Sequence, residues 1–231
     1  MEFFESDIFL IAATFAIYLV AKRLQAATGW TVLNPVLITI LVIIGGLKLS
    51  GLTYETYSES GQLIEFWLKP AIVALGVPLY SQLQEIRRQF LPILLSQLAG
   101  CVAGIISVVF IAQALGASTE VVLSMVPKSV TTPIAIEVSR QIGGIPSLTA
   151  AIVVCVGLLG SIFGFKVLTI GHIGSQIARS ISMGTAAHVI GTTRAAELSD
   201  RAGAYATLGL ILNGVLTAVL ADPLLAMMGI K

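Results

Sequence analysis

From Leu91 to Leu115 the chain runs without a single charged side chain, long enough to cross a bilayer with some tilt. Composition points the same way. Of the 231 residues, 56% are hydrophobic and 11% charged, where a soluble domain carries about a quarter charged residues. The sequence therefore predicts an integral membrane protein of the all-α, polytopic class, in which backbone polar groups are satisfied within each helix. About seven or eight hydrophobic segments can be counted in what reads as a single domain over 1–231, some of them too short to cross in full.

One apolar segment, from Val121 to Val138, is interrupted by Pro127-Lys128-Ser129-Val130-Thr131-Thr132-Pro133. Proline removes a backbone donor and pushes the preceding residue out of the helical region, so this pair predicts a helix broken into two halves. Thr132 falls where an N-cap belongs and Pro133 at the first helical position. The free N–H groups of the second half-helix, its dipole and the Lys128 ammonium then make a site that prefers an anion. A polar loop between two short hairpin helices, with Lys128 snorkelling to the headgroups, is the competing reading. The flanking hydroxyls of Ser129, Thr131 and Thr132 favour the site, because they can satisfy backbone groups freed by the break.

Elsewhere the chain reads as spans and connectors. Ile8 to Val20 forms a first span, ending at Lys22-Arg23 and preceded by an acidic start, so it is expected to be retained with its basic end cytoplasmic. Val32 to Leu47 opens with Asn34-Pro35, a cap and a first-turn proline. Lys48 to Phe66 suits an external loop with some amphipathic helix. Trp67 to Gln82 is a span with interruptions expected at Lys69-Pro70 and at Gly76-Val77-Pro78, and Arg87-Arg88 marks the cytoplasm. Gly100 and Gly104 offer a small-residue face for helix packing, as do Gly157, Gly160 and Gly164 in the run that ends near Phe165. Ser147 is placed to cap that run. Lys166 to Ser182 is read as a surface helix, and Gly203 to Leu220, carrying Asn213, as the last span. Asn34, Gly76, Pro78 and Asn213 read mainly as structural residues.

A second polar concentration runs from Met183 to Glu197. On a helix Thr185, His188 and Thr192 would share a face, with Gly184 and Gly191 close by. His188 is either a core histidine bonded to a neighbouring helix or, on a pathway, a proton carrier. Glu137 follows Pro133 by one helical turn and faces either the site or Arg140, which makes it a further candidate for proton coupling. A loose echo links Val77-Pro78, Val126-Pro127 and Gly191-Thr192, each leading through arginine into an apolar run, as in transporters built from internal repeats.

Several function classes are excluded. A net charge of +1 leaves no basic stripe for nucleic acid. Cys101 and Cys155 lie in apolar runs and read as packing residues, and with two histidines no metal-ligand spacing occurs. No nucleophile pairs with an orienting base and no phosphate-cradling loop follows a strand, so neither an enzyme nor a cofactor is expected.

The segments Pro-Lys-Ser-Val-Thr-Thr-Pro-Ile-Ala (127–135), Ile-Gly-Gly-Ile-Pro (142–146) and Met-Gly-Thr-Ala-Ala-His-Val-Ile-Gly-Thr-Thr-Arg-Ala-Ala-Glu (183–197) resemble the LrgB/CidB family. The likeness covers nearly the whole chain, including Leu-Asn-Pro at 33–35 and Pro-Leu-Tyr at 78–80, with small departures at Ala187 and at 193–195. It implies a multi-pass protein of the bacterial inner membrane acting with a small LrgA/CidA-like partner. Two activities are attached to the family: antiholin-like control of murein hydrolases and lysis, and transport of small monocarboxylates such as pyruvate, or glycolate and glycerate in the plastid relative. The residues favour transport. Lys128 and the Thr131–Ile134 backbone would hold the carboxylate, and Ser129 and Thr132 the oxo or hydroxyl group. Pro133 would start the half-helix, with Gly184, Thr185, His188, Gly191 and Thr192 opposite, and His188 or Glu137 would carry a coupling proton. The rival is a membrane regulator or pore component that works by association with its partner and not by binding solute; a homo-oligomer is a further expected assembly. The two polar stretches are expected to meet in the middle of the protein.

Overall fold

The computed structural model describes residues 6–30, 33–74, 76–81 and 83–230, and every regular element among them is a helix. The start of the acidic N-terminus, at 1–5, and two bounds of expected spans, Val32 and Gln82, lie outside the described residues. The chain divides into two compact units, Met1–Gly76 and Val77–Lys231.

In the first unit, α1 (Asp7–Thr28), α2 (Pro35–Ser50) and α3 (Tyr54–Ala74) lie together. The Asn34 side chain caps α2 as expected, accepting from the Val36 and Leu37 N–H groups at 2.9 and 3.3 Å, with Pro35 in the first turn. Thr14 Oγ1 lies 3.1 Å from the Tyr57 hydroxyl and Ser60 Oγ donates to Asp7 Oδ1 at 2.6 Å, joining α3 to α1. Helix α1 continues past Lys22 and Arg23, which close its apolar run, to Thr28. One expectation needs correction: Pro70 lies inside α3 without breaking it. Gly76, Val77 and Pro78, where an interruption is expected, lie within helix α4 (Gly76–Ser81), and residue 75 lies outside the described residues.

The second unit continues with α5 (Leu83–Arg88), α6 (Phe90–Ala114), α7 (Thr119–Met125), α8 (Thr132–Ile142), α9 (Pro146–Ile170), α10 (Gln176–Ala196) and α11 (Asp200–Met227). Among the described residues, α6, α9 and α11 are long and apolar enough to span a bilayer, with mean hydropathy 2.2, 2.3 and 1.8. Residues 166–182 do not form one surface helix: α9 runs on to Ile170, and α10 starts at Gln176, where Ser175 Oγ accepts from the Ala178 N–H.

The remaining apolar segments double back. Thr149 Oγ1, on α9, lies 3.0 Å from the Ser124 carbonyl of α7 and 2.7 Å from Ser139 Oγ of α8. In a straight helix Ser124 and Ser139 would be about 22 Å apart, so the chain must turn back between them. The α7–α8 pair is therefore a hairpin whose tip is the 126–131 turn. The segment after α8 is held against α7 by the Ile145 N–H donating to Ser124 Oγ at 2.7 Å, with Gly144 packed so closely that a Cβ would lie 2.6 Å from Ser139 Oγ. Gly143 closes α8 at a φ of 90°, which accounts for the adjacent glycines.

Helix α10 does the same. Ala187 (φ −120°, ψ 17°) and His188 (φ 43°, ψ −135°) leave helical geometry, and a Cβ on Gly191 would collide with the Met183 carbonyl. Eight residues of straight helix advance about 12 Å, so 189–196 must return alongside 176–186. Gly203 of α11 then lies against Ala196, where the hairpin leaves the bundle.

The first hairpin ends just before α9 and the second begins just after it. Because α9 has 25 residues, about 37 Å of helix, the two hairpins enter the bundle from opposite ends. Hairpin followed by spanning helix thus occurs twice, in opposite senses. In lipid, helices associate chiefly through close approach, and glycines provide it. Gly157, Gly160 and Gly164 of α9 lie against His188, Ala187 and Met183, while Gly184 lies against the Ala206 carbonyl of α11.

Candidate functional site

The two hairpin tips meet through α11. Asn213 Nδ2 donates to the Ser129 carbonyl at 3.0 Å, in the first tip, and to the Thr185 carbonyl at 3.2 Å, just before the second. Both acceptors sit where a break removes the N–H that a continuous helix would supply, so the amide satisfies groups that the fold has orphaned. Asn213 is 2% exposed.

Beside this junction lies a cavity of about 400 Å³ lined by α6, the first tip, α9, the second hairpin and α11. Its polar groups come from Lys128, Ser129, Thr185, Asn213, Cys101 and Thr217, and its apolar wall includes Ile105, Val126, Val156 and Leu159. Lys128 Nζ donates to the Gly104 carbonyl at 3.2 Å. An ammonium has three donors, and among the described residues no carboxylate side chain lines the cavity. A half-buried cation in a largely apolar cavity favours an anionic partner, because a charge drawn out of water and left unpaired is costly. Thr185 Oγ1 is 2.8 Å from both Gln97 Oε1 and the Ile181 carbonyl, so its proton is committed to the wall.

The structure brings Lys128, Ser129 and Thr185 to one cavity but not the other candidates. Helix α8 starts at Thr132, with Thr131 as its N-cap and Pro133 in the first turn, one residue earlier than the spacing predicts. The Thr131 side chain makes no capping hydrogen bond, and Thr131, Thr132 and Pro133 do not line the cavity. The shared face expected of Thr185, His188 and Thr192 is destroyed by the reversal at His188. His188 is buried, with Nε2 2.8 Å from the Val153 carbonyl, and Thr192 Oγ1 donates to the His188 carbonyl at 2.9 Å. Since a carbonyl only accepts, the proton sits on Nε2. Its positive φ is a backbone state that glycine adopts more readily, and strain of this kind collects at functional junctions. Gly184 and Gly191 serve helix approach and not the cavity. Glu137 pairs with Arg140 at 2.7 Å on an exposed face, and Arg194 pairs with Glu197.

The sequence reading missed the contribution of α6. Gly100 and Gly104, expected to receive another helix, have nothing within 4 Å of where a Cβ would stand and instead form cavity wall. Cys101 shares that wall, while Cys155 is exposed. The available signal was periodicity: Gln97, Cys101 and Gly104 lie at i, i+4 and i+7 on a mostly apolar span, and Asn213 and Thr217 at i and i+4 on another.

Against known proteins, residues 14–227 match the LrgB-like family. The chain is similar to an uncharacterized protein, YwbG, of Bacillus subtilis, with 38% identity over 93% of this chain and 96% of the relative. It is also similar to the holin-like protein CidB of Staphylococcus epidermidis (34% identity, 92% and 93% covered) and to that of Staphylococcus aureus (34%, 95% and 96%). No solved structure matches.

Proposed function

We propose that this chain, a membrane protein that belongs to the LrgB-like family, is a carrier of small monocarboxylates of the pyruvate and glycolate type. The observation that carries this reading is a cavity between the tips of two oppositely inserted hairpins, with Lys128 as its cation. Secondary transporters place substrate where discontinuous helices of inverted repeats meet, since a site between two such halves can be opened from either side in turn. A pore or a regulator acting by association needs no such lysine-bearing cavity.

In this reading Lys128 and Ser129 hold the carboxylate, and the apolar wall accepts a short carbon skeleton. The site lies in a single integral membrane domain of the bacterial inner membrane, and the chain works with an LrgA/CidA-like small partner, with further copies of itself, or with both. It has no catalytic role. The name of the staphylococcal relatives, holin-like protein, favours a second reading: an antiholin-like regulator of murein hydrolase activity and lysis, without solute transport of its own.

Uptake of labelled glycolate and pyruvate into proteoliposomes separates the two. The carrier reading expects saturable uptake, reduced about ten- to hundredfold by Lys128→Ala, the cost of one hydrogen bond to a charged group. Uptake by Lys128→Ala at the parent rate refutes the site. Absence of uptake with and without the partner refutes the carrier and leaves the regulator.

A further inference from the structure

A second pocket, apart from the Lys128 cavity, opens where α10 begins. It holds about 220 Å³ and is lined by residues 175–177 and Ser180 around the α10 start and by Arg201, Ala202 and Tyr205 of α11. That is below the roughly 300–1,000 Å³ of a small-molecule site, so the pocket suits a single headgroup-sized ion. Its donors are of one kind. The first N–H groups of a helix have no intrahelical partner. Ser175 Oγ accepts from the Ala178 N–H at 3.3 Å, which leaves the Gln176 and Ile177 N–H groups and the Ser175 proton for a ligand. Arg201 brings a guanidinium with five donors, and among the described residues no carboxylate lines the pocket. Ser180 donates elsewhere, to the Gln176 carbonyl at 2.8 Å.

The floor of the pocket carries an independent sign of a ligand. Tyr205 is fully buried, and among the described residues its hydroxyl is the one buried side-chain polar atom without a hydrogen-bond partner. A tyrosine on a helix leans back over the preceding turn, here over Arg201 and Ala202, which line the pocket. The Arg201 guanidinium carbon lies 5.9 Å from the centre of the tyrosine ring. A buried hydroxyl left unpaired calls for an acceptor. The place of the pocket in the fold says where that acceptor comes from. Ile86 and Ile93 pack with Tyr205, Ile177 and Ile181, so the start of α6, with Arg87 and Arg88 before it, lies at this end of the bundle. Arg179, Arg194 and Arg201 belong to the same end, and such a concentration marks the cytoplasmic face.

We infer that this pocket binds a phosphate group at the cytoplasmic membrane face, carried by an anionic phospholipid or present as the free ion. Its oxygens accept from the α10 start, whose dipole favours an anion, from the Arg201 fork and from the Tyr205 hydroxyl. The bound group ties the base of the second hairpin to α11. The site does not depend on what the Lys128 cavity carries.

Thermal unfolding of the full-length protein in a neutral detergent tests it, with three additions: dioctanoyl phosphatidylglycerol, dioctanoylglycerol, and sodium phosphate against sodium chloride of equal ionic strength. Saturable stabilisation by phosphatidylglycerol but not by dioctanoylglycerol or phosphate assigns a lipid headgroup. Stabilisation by sodium phosphate, with or without that of the lipid, assigns the free ion. Arg201→Gln raises the half-saturating concentration about ten- to hundredfold, the loss of a hydrogen bond between charged groups, and Arg88→Gln at the same end leaves it unchanged. Tyr205→Phe removes a hydroxyl that has no partner, so without ligand it melts no lower than the parent, yet its half-saturating concentration rises about tenfold or more. Stabilisation by neither phosphate compound, or equal stabilisation by the two lipids without any by phosphate, overturns the site. So does equal weakening by Arg88→Gln and Arg201→Gln, or a Tyr205→Phe protein that binds as the parent does or melts lower without ligand.

Discussion

Replacing Asn213 by leucine, a side chain of similar size, removes a donor that serves both hairpin tips at once. Two buried carbonyls, those of Ser129 and Thr185, lose the amide that now lies 3.0 and 3.2 Å away. Orphaning a buried acceptor costs about 1–3 kcal/mol, whereas interhelical hydrogen bonds measured in a membrane protein average about 0.6 and reach about 1.7 kcal/mol. Both carbonyls sit at breaks, with no N–H one turn ahead to replace the amide, so the upper part of the membrane range applies. The expected loss is about 2–3 kcal/mol for the pair, twice a value in that upper range. At about 2–4 °C per kcal/mol for a chain of this size, the melting temperature falls by about 4–12 °C. Thermal unfolding of the purified protein in detergent reads this directly. Asn213→Asp, which loses the donors while keeping the shape, should fall at least as far. A leucine variant that melts within about a degree of the parent would refute the claim that this amide joins the tips, because the cost of two orphaned acceptors would be missing.

Three further outcomes follow from the same contacts. Gly184→Ala should abolish folded protein or lower its yield severely, since the new methyl overlaps the Ala206 carbonyl, whereas Gly100→Ala, with open space in front of it, should fold normally and alter only carboxylate affinity; size-exclusion profiles compare them. Glu137→Gln should leave uptake and its dependence on pH unchanged, because Glu137 pairs with Arg140 on an exposed face; a changed pH profile would restore it as a proton carrier. Ser124→Ala should lower thermal stability by about 1–3 kcal/mol through the orphaned Ile145 N–H, with carboxylate affinity intact.

The membrane class, the capped start of α2 and the break around Lys128 were legible because each depends on neighbouring residues: apolar runs, Asn34-Pro35, and prolines at 127 and 133. The second break was not. Nothing near His188 forbids a helix, since Ala186 and Ala187 favour one. The reversal there is imposed from outside, by Gly157 and Gly160 of α9 receiving the tip and by Val153 holding the imidazole. Helical periodicity therefore grouped Thr185, His188 and Thr192 on one face, although only Thr185 reaches the cavity. Asn213 read as a structural residue for a related reason. Its two acceptors lie in the first hairpin tip and on α10, and no local pattern announces a partner so distant in sequence. The glycines at 100 and 104 were the hardest to assign, because the spacing that lets two helices touch also leaves room for a solute.

The central claim is that the chamber between the hairpin tips holds a small carboxylate on Lys128. Equilibrium binding of labelled glycolate to the purified protein, by scintillation proximity in detergent, tests it without requiring transport or a partner. The account predicts saturable binding at one site per chain, weakened about ten- to hundredfold by Lys128→Gln, which keeps a polar side chain but removes the charge. Binding of equal strength in the parent and in Lys128→Gln, or no saturable binding in the parent, would contradict it.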